Sequence, residues 1–391
     1  MVITGGRRWP GLSVWSVSIL LLPIVSIAIY AIRKPVPPSS PSPTEVIVYC
    51  SADAPVAQPV FDAFEKKTSV KVRAVFDTEA TKTTGLVNRL LDEHDRAQSN
   101  ADVWWSSEPF GTIRLARAGV LERYTSTIER SKPAPWPTEL RAGAGTWYGF
   151  ARRVRVLAYN TKRIDAKDVP NDLAGLADAK FKDRIAMARP EFGTTRGHMG
   201  AIHALGDDIL RTWLTSVAAN GLRLYEGNAA VARAVGSGEM WLGLTDSDDA
   251  LQAQANGWPV DFVAISNVPA LLWHKRTLGG LHDQLPFPEG AMQIPNTVAL
   301  VKGARHPANA ALLIDFLLSP ECEAILAKGE GRTLPMPRSM DLSAGPVPGD
   351  ASPIRDPLHR QRTSLSELDL ERVADNIEAA MKICGEVLKG R

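Results

Sequence analysis

From Glu45 onward the chain alternates short apolar runs with amphipathic stretches, the pattern of βα units that feed a mostly parallel sheet. Val46 to Tyr49 reads as a buried strand, and Pro55 opens a helix in which Val56, Val60 and Phe64 recur at helical spacing. Val70, Val72, Ala74 and Phe76 alternate as a second strand. Ala101 to Trp105 forms a third, followed by a helix around Phe110 to Ala118 that Gly119 stops. The rhythm then changes. Thr146 to Asn160 is one long extended segment, and a second βα series follows it. Its strands fall near Arg184–Ala188, Leu222–Tyr225 and Met240–Leu244, and its helices near Thr195–Leu205, Asp207–Ala219 and Ala229–Val235. Val260–Ile265 and Thr297–Val301 read as further strands, with helices from Pro307 onward. The fold class is therefore α/β. With 391 residues, 45% of them hydrophobic, the chain can bury a large core, and at roughly 100 to 200 residues per domain its length suggests two domains.

The first 44 residues are of another kind. Gly11 to Ile32 carries no charge and is long enough to cross about 30 Å of hydrocarbon. Residues 1–34 read either as a secretory signal, with Arg7-Arg8 in its n-region and Ser26 and Ala28 as a cleavage site, or as an uncleaved membrane anchor. Both readings put the body outside the cytoplasm. Residues 35–44, rich in Pro and Ser, form an extended linker. The net charge is +2, but four basic residues and no acid precede Glu45, which leaves the body slightly acidic and argues against nucleic acid as a partner. Cys50, Cys322 and Cys384 are too few and too scattered for a disulfide framework or zinc site, and leave only a Cys322–Cys384 bridge open. Residues 340–357 read as a tether, and Leu365–Val387 as an amphipathic helix packed on the body.

In an open parallel sheet, ligands sit beyond the carboxyl ends of the strands, where helix N-termini present free N–H groups. Those ends here carry Cys50-Ser51-Ala52-Asp53, Asp77-Thr78-Glu79, Ser106-Ser107-Glu108, Thr194-Thr195, Glu226-Gly227-Asn228 and Thr245-Asp246-Ser247-Asp248-Asp249. Each such residue could simply cap a helix, which is what Ser, Thr, Asp and Asn do most often; a cleft between two lobes would instead gather them around a ligand. The chain has no GxSxG elbow, Walker A loop, GxGxxG turn or HExxH pair. His198 and His203 read as surface or packing residues, and Trp104-Trp105 as core. The 246–249 run resembles the start of a calcium loop without its Gly and final Glu, and suits a hard cation or a ligand amine.

The stretches VIVYCSADAPVAQPVFDAFEKKTSVKV, DTEATKT, ADVWWSSEP, ARRVRVLAYNTKRI, FKDRIAMARPEFGTT and VALVKGARHPANAALLIDFLLSPE, in that order and spacing, resemble the solute-binding proteins of ABC importers, in the ferric-iron-binding-protein-like group. The resemblance implies a two-lobed clamp of the type II periplasmic-binding-protein fold, each lobe a mostly parallel sheet with flanking helices. Segments 150–160 and 260–266 would cross between the lobes. Residues 45–152 with 262–303 would form the first lobe, and 153–261 with 304–391 the second. It also implies a periplasmic protein, a monomer, that hands a small ligand to an inner-membrane ABC permease without a catalytic step. The ligand would meet Ser51, Asp53, Ser106, Ser107 and Glu108 from the first lobe, and Arg153, Thr194, Thr195, Thr245 and Asp246 from the second. Iron(III) would be cargo rather than a resident cofactor, with Asp53, Glu108, Asp246 and Asp248 as its ligands. Iron-binding members carry paired tyrosines after the strand matching Met240–Leu244, where this chain has Thr245-Asp246-Ser247-Asp248. That departure leaves open a small organic anion, such as a phosphonate or sugar phosphate, on Thr194, Thr195 and Arg153. The rival from another class is an extracytoplasmic enzyme with Asp246 or Glu108 as general base.

Overall fold

The computed structural model describes residues 44–77, 83–131, 136–170, 172–265, 291–333 and 369–390. The N-terminal apolar run, the Pro/Ser linker and the 340–357 tether lie outside them. Among the described residues no helix is long and apolar enough to cross a membrane.

The first βα series builds one lobe. Strands β1 (Glu45–Cys50), β2 (Lys71–Phe76) and β3 (Val103–Ser106) are parallel, with β1 in the middle. Helices α1 (Ala54–Thr68), α2 (Thr84–Asp95) and α3 (Pro109–Arg117) follow them in turn. Pro55 sits in the first turn of α1, where its missing N–H costs nothing, and Ser69 closes the helix in the left-handed conformation. Because successive side chains on a strand face opposite ways, Trp105 joins Val46, Val48, Phe61 and Phe64 on one face while Trp104 joins Tyr49, Leu86, Leu90 and Ile113 on the other. The short strand β4 (Leu121–Glu122) and helix α4 (Thr127–Ser131) complete this part.

Strand β5 (Tyr148–Asn160), buried throughout, crosses to the second lobe. There β6 (Ile185–Ala188), β7 (Arg223–Tyr225) and β8 (Leu242–Asp246) are parallel, with β6 in the middle, and β9 (Val260–Ala264) lies antiparallel to β5. Helices α5 (Gly193–His203) and α6 (Asp207–Ala219) cover one face through Met199, Ile202, Leu210 and Leu214; α7 (Asn228–Ser237) and α8 (Ser247–Ala255) cover the other through Val231, Val235, Ala250 and Ala253. Strand β10 (Gln293–Val301) then returns to the first sheet between β3 and β5.

The crossing point has a local signature. The ladder between β5 and β10 shifts register at Pro295/Asn296, and opposite it Ala151 takes a positive φ of 43°, which a residue with a Cβ rarely adopts. The Asn296 amide donates to the Ala151 carbonyl at 2.6 Å and holds the bend. The return differs from the sequence reading. Val260–Ala264 pairs with the 156–160 half of β5 and stays in the second lobe, while β10 pairs with the 148–154 half.

A second difference concerns residues 304–328, expected in the second lobe. Helices α9 (Pro307–Leu317) and α10 (Pro320–Lys328) place Ala310, Leu313, Ile314, Cys322 and Leu326 in the same core as Val46, Val48 and Phe61 of the first. The chain comes back through β10, so the two helices after this strand pack on the lobe in which it ends. Cys322 and Cys384 lie in different cores and all three cysteines are free, which excludes a bridge between them. The last helix, α11 (Leu370–Val387), packs on the body as its amphipathic pattern predicts.

Candidate functional site

The carboxyl ends of β1, β3, β6, β7 and β8 converge on one cleft of about 740 Å³, lined from both lobes. Of the sequence-predicted residues, Asp53, Ser107, Glu108, Arg153, Thr194, Thr195, Asp246 and Asp248 reach its wall. Ser51, Ser106 and Thr245 are not among the lining residues. Ser51 Oγ accepts from the Ser107 backbone N–H at 3.0 Å, lies 3.2 Å from Ser106 Oγ and accepts from Thr83 Oγ1, so this hydroxyl cluster shapes the turn after β3. Thr245 Oγ1 bonds the Asn228 carbonyl and the Asp249 carboxylate.

Asp246 is the hub of the second-lobe wall. It ends β8 directly opposite Arg155 on β5. Its Oδ1 accepts from Arg155 Nη1 at 2.9 Å; its Oδ2 accepts from Arg153 Nε at 3.1 Å, Thr194 Oγ1 at 2.7 Å and Asn228 Nδ2 at 3.0 Å. Burial alone would raise the pKa of this carboxyl, but Arg155 and Arg153 outweigh burial and hold it below the ordinary value. Arg155 is fully buried; its terminal nitrogens also donate to Asn228 Oδ1, Thr195 Oγ1 and the Leu244 carbonyl, while its Nε is buried without a partner among the described residues. The hydroxyls of Thr194 and Thr195 are thus spent inside the protein, and what they offer a ligand is the start of α5, whose N-cap Phe192 supplies no side-chain acceptor.

Two groups on this wall are not spent. Arg153 is nine-tenths buried; its Nε is taken by Asp246, while its two terminal nitrogens carry no hydrogen bond among the described residues. Beside it, Asp248 lies 3.8 Å from the same Nε, and its Oδ1 is buried without a hydrogen-bond partner. Burial pushes the Asp248 pKa up to about 6, with Arg153 opposing and Asp246 adding to the rise. Burial would also lower the Arg153 pKa, but Asp248, Asp246 and Asp249 raise it, so the guanidinium stays charged.

Glu108 behaves differently from the metal ligand expected of it. Its two oxygens accept from the backbone N–H groups of Phe110 at 2.6 Å and Gly111 at 3.0 Å, which makes it the N-cap of α3. Burial raises its pKa even against those two bonds. Among the described residues, the metal-capable carboxylate group is Asp246, Asp248 and Asp249, whose ligand atoms all lie within 4.8 Å of one another; Asp53 and Glu108 are not part of it. No tyrosine is among the residues lining the cleft.

Sequence reasoning missed Arg155 and left Asn228, noted only as a strand end, out of the site. Arg153 and Arg155 stand two apart on a strand with no exposed face, and two arginines facing the same way there require an acid nearby; that signal was present in ARRVRVL. The cleft wall also includes Phe192, 41% exposed, and Arg189 paired with Glu226 at 3.0 Å.

Comparison with known proteins bears on the family and the fold. The sequence profile of the family described as bacterial extracellular solute-binding protein matches residues 46–329. The chain is 26% identical over 298 residues to the major ferric iron-binding protein of Neisseria meningitidis serogroup B, covering 74% of this chain and 80% of that protein. It is 26% identical, over 298 residues, to a putative 2-aminoethylphosphonate-binding periplasmic protein of Salmonella typhi, covering 75% of this chain and 74% of that one. The crystal structure of iron-bound HitA from Pseudomonas aeruginosa superposes with a TM-score of 0.66 at 25% identity, over 88% of this chain and 99% of that one.

Proposed function

Because the chain belongs to the bacterial extracellular solute-binding proteins, we propose that it is the extracytoplasmic substrate-binding component of an ABC importer, and that the cargo it closes on is iron(III) held together with a small oxygen-rich anion. One juxtaposition carries this reading: the unpartnered carboxylate oxygen of Asp248 beside the two unused nitrogens of Arg153, both on the cleft wall. Asp248 and Asp249 offer hard oxygen donors to a trivalent cation. They are too few to fill its coordination shell, and a bare cation beside a buried arginine is repelled. An anion that bridges the metal and the Arg153 fork answers both requirements, since guanidinium matches carboxylate and phosphate oxygens two at a time. Asp246 then acts as the residue that positions Arg153 and Arg155, and Glu108 as a helix cap.

Binding without turnover fits the two general-base candidates. Both Asp246 oxygens accept hydrogen bonds and its pKa is held down, while both Glu108 oxygens are occupied by backbone N–H groups. Residues Gly11–Ile32, as signal or anchor, would deliver such a protein to the periplasmic side, where an inner-membrane permease would receive its cargo. Closure requires the cargo to meet both lobes, and Asp53 and Ser107 line the cleft from the first lobe to supply the second set of contacts. A second reading keeps the anion and drops the metal: an organic phosphonate or sugar phosphate seated on Arg153 and the open start of α5.

Calorimetric titration of the metal-free protein with ferric citrate, citrate and 2-aminoethylphosphonate separates the two. The iron reading expects ferric citrate to bind, with affinity reduced at least about tenfold by both Arg153→Gln and Asp248→Asn. Binding of the phosphonate alone, sensitive only to Arg153→Gln, replaces it with the second reading. No dependence on Arg153 refutes both.

A further inference from the structure

Helix α11 lies beyond residues 46–329, the part matched by the family profile, and it touches both lobes. Its first turns carry Leu370, Val373 and Ile377 into a core shared by Phe110 and Ile113 of α3 in the first lobe and Ala201 of α5 in the second. Its later turns carry Ala380, Ile383 and Cys384 into the core of Met199, Ile202 and Leu210 in the second. The polar contacts join both lobes within the same turns, since Arg372 also donates to the Ala204 carbonyl at the end of α5. Arg117 on α3 pairs with Glu371 and Asp375, each at 2.7 Å, while Arg211 on α6 pairs with Glu386 at 2.7 Å and His203 on α5 meets Asn376 at 2.8 Å.

The helices that α11 bridges are those whose starts form the cleft. α3 begins at Glu108 and α5 at Gly193-Thr194, all of them cleft residues. They also touch each other directly: the Phe110 ring lies over Gly197 so closely that a Cβ there would stand 1.9 Å from the ring. Beside this contact a half-open groove of about 330 Å³ runs between α2, α3, α5 and α11. An interface that rests on a pivot, is strapped by ion pairs and borders a groove can adopt more than one packing, unlike a close-packed core.

We propose that α11 is a latch between the lobes: by tying Arg117 of the first lobe to a helix seated on the second, it favours the arrangement in which both lobes line one cleft, and so sets ligand affinity from outside the binding site. A contact made in one arrangement and lost in the other shifts the equilibrium by its difference between the two, whichever ligand is bound. The latch therefore does not depend on the identity of the cargo.

The test uses the full chain with spin labels at Lys66→Cys on α1 and Thr215→Cys on α6, both exposed positions, the native cysteines being buried. Pulsed electron–electron resonance measures the distance between the lobes without ligand. Arg117→Glu, which sets a carboxylate against Glu371 and Asp375, is expected to broaden and lengthen that distribution and to weaken ferric citrate binding about threefold or more. The charge-swapped variant, Arg117→Glu with Glu371→Arg and Asp375→Arg, is expected to restore both. An unchanged label distance in Arg117→Glu, tighter binding, or a change that the swap does not reverse overturns the latch. A protein whose distances respond but which binds no ferric citrate keeps the latch and rejects the iron reading.

Discussion

Replacing Asp248 with Asn should make the protein more stable while impairing the site. Burial and the nearby Asp246 charge push the Asp248 pKa from an ordinary 3.8 to about 6, against the pull of Arg153. The folded protein therefore holds this proton more tightly than the unfolded chain does, and binds more protons between about pH 4 and pH 6. Stability must fall as pH rises through that window, and the loss is complete above it. The full gap corresponds to about 3 kcal/mol. The side chain is 24% exposed, and the water that reaches it reduces this to about 1 to 2 kcal/mol. Asn has the same shape and no charge to bury, so Asp248→Asn should gain that amount at about pH 7.5 and little at about pH 4. Urea unfolding followed by tryptophan fluorescence at the two pH values measures it. A variant less stable than the parent at about pH 7.5, or an equal gain at both pH values, would refute the assignment of a strained, ligand-seeking carboxylate at this position.

Two further substitutions separate positioning from capping. Asp246→Ala leaves the fully buried Arg155 without its acid and removes the hydrogen-bond partner of Arg153 Nε, and should cost about 3 to 5 kcal/mol in denaturant unfolding; a cost under about 1 kcal/mol would mean that the hub is dispensable. Glu108→Ala removes only the α3 cap, so about 1 kcal/mol of stability should go while calorimetry shows ferric citrate affinity within about twofold of the parent. A tenfold loss of affinity would return Glu108 to the ligand set.

Much of the fold could be read from local pattern, because strands and helices are short-range events. The βα rhythm placed β1, β3, β6 and β8 within a residue or two, and the rule that ligands gather at carboxyl ends led to residues that line the cleft. What local pattern could not supply was register. Arg155 faces Asp246 only because β5 pairs with β8 across 91 residues, and no local pattern reveals that Asp246 is already occupied. Glu108 was ambiguous for another reason, since a carboxylate at a strand end satisfies both a cap and a ligand rule, and its two bonds to Phe110 and Gly111 become visible only in the structure. The sequence reading puts β10 with the first lobe but helices α9 and α10 with the second, because nothing in the local pattern shows that the chain stays on the first lobe after β10.

If the cleft carries iron(III) with an anion, the cargo should be visible in the protein purified without chelator. Elemental analysis with native mass spectrometry on the parent and on a variant carrying both Asp248→Ala and Asp249→Ala should find about one iron per chain, with the added mass of a small anion, in the first and neither metal nor anion in the second. A parent that carries an organic anion and no metal would contradict iron(III) as the cargo, and iron retained in the variant would contradict Asp248 and Asp249 as its ligands.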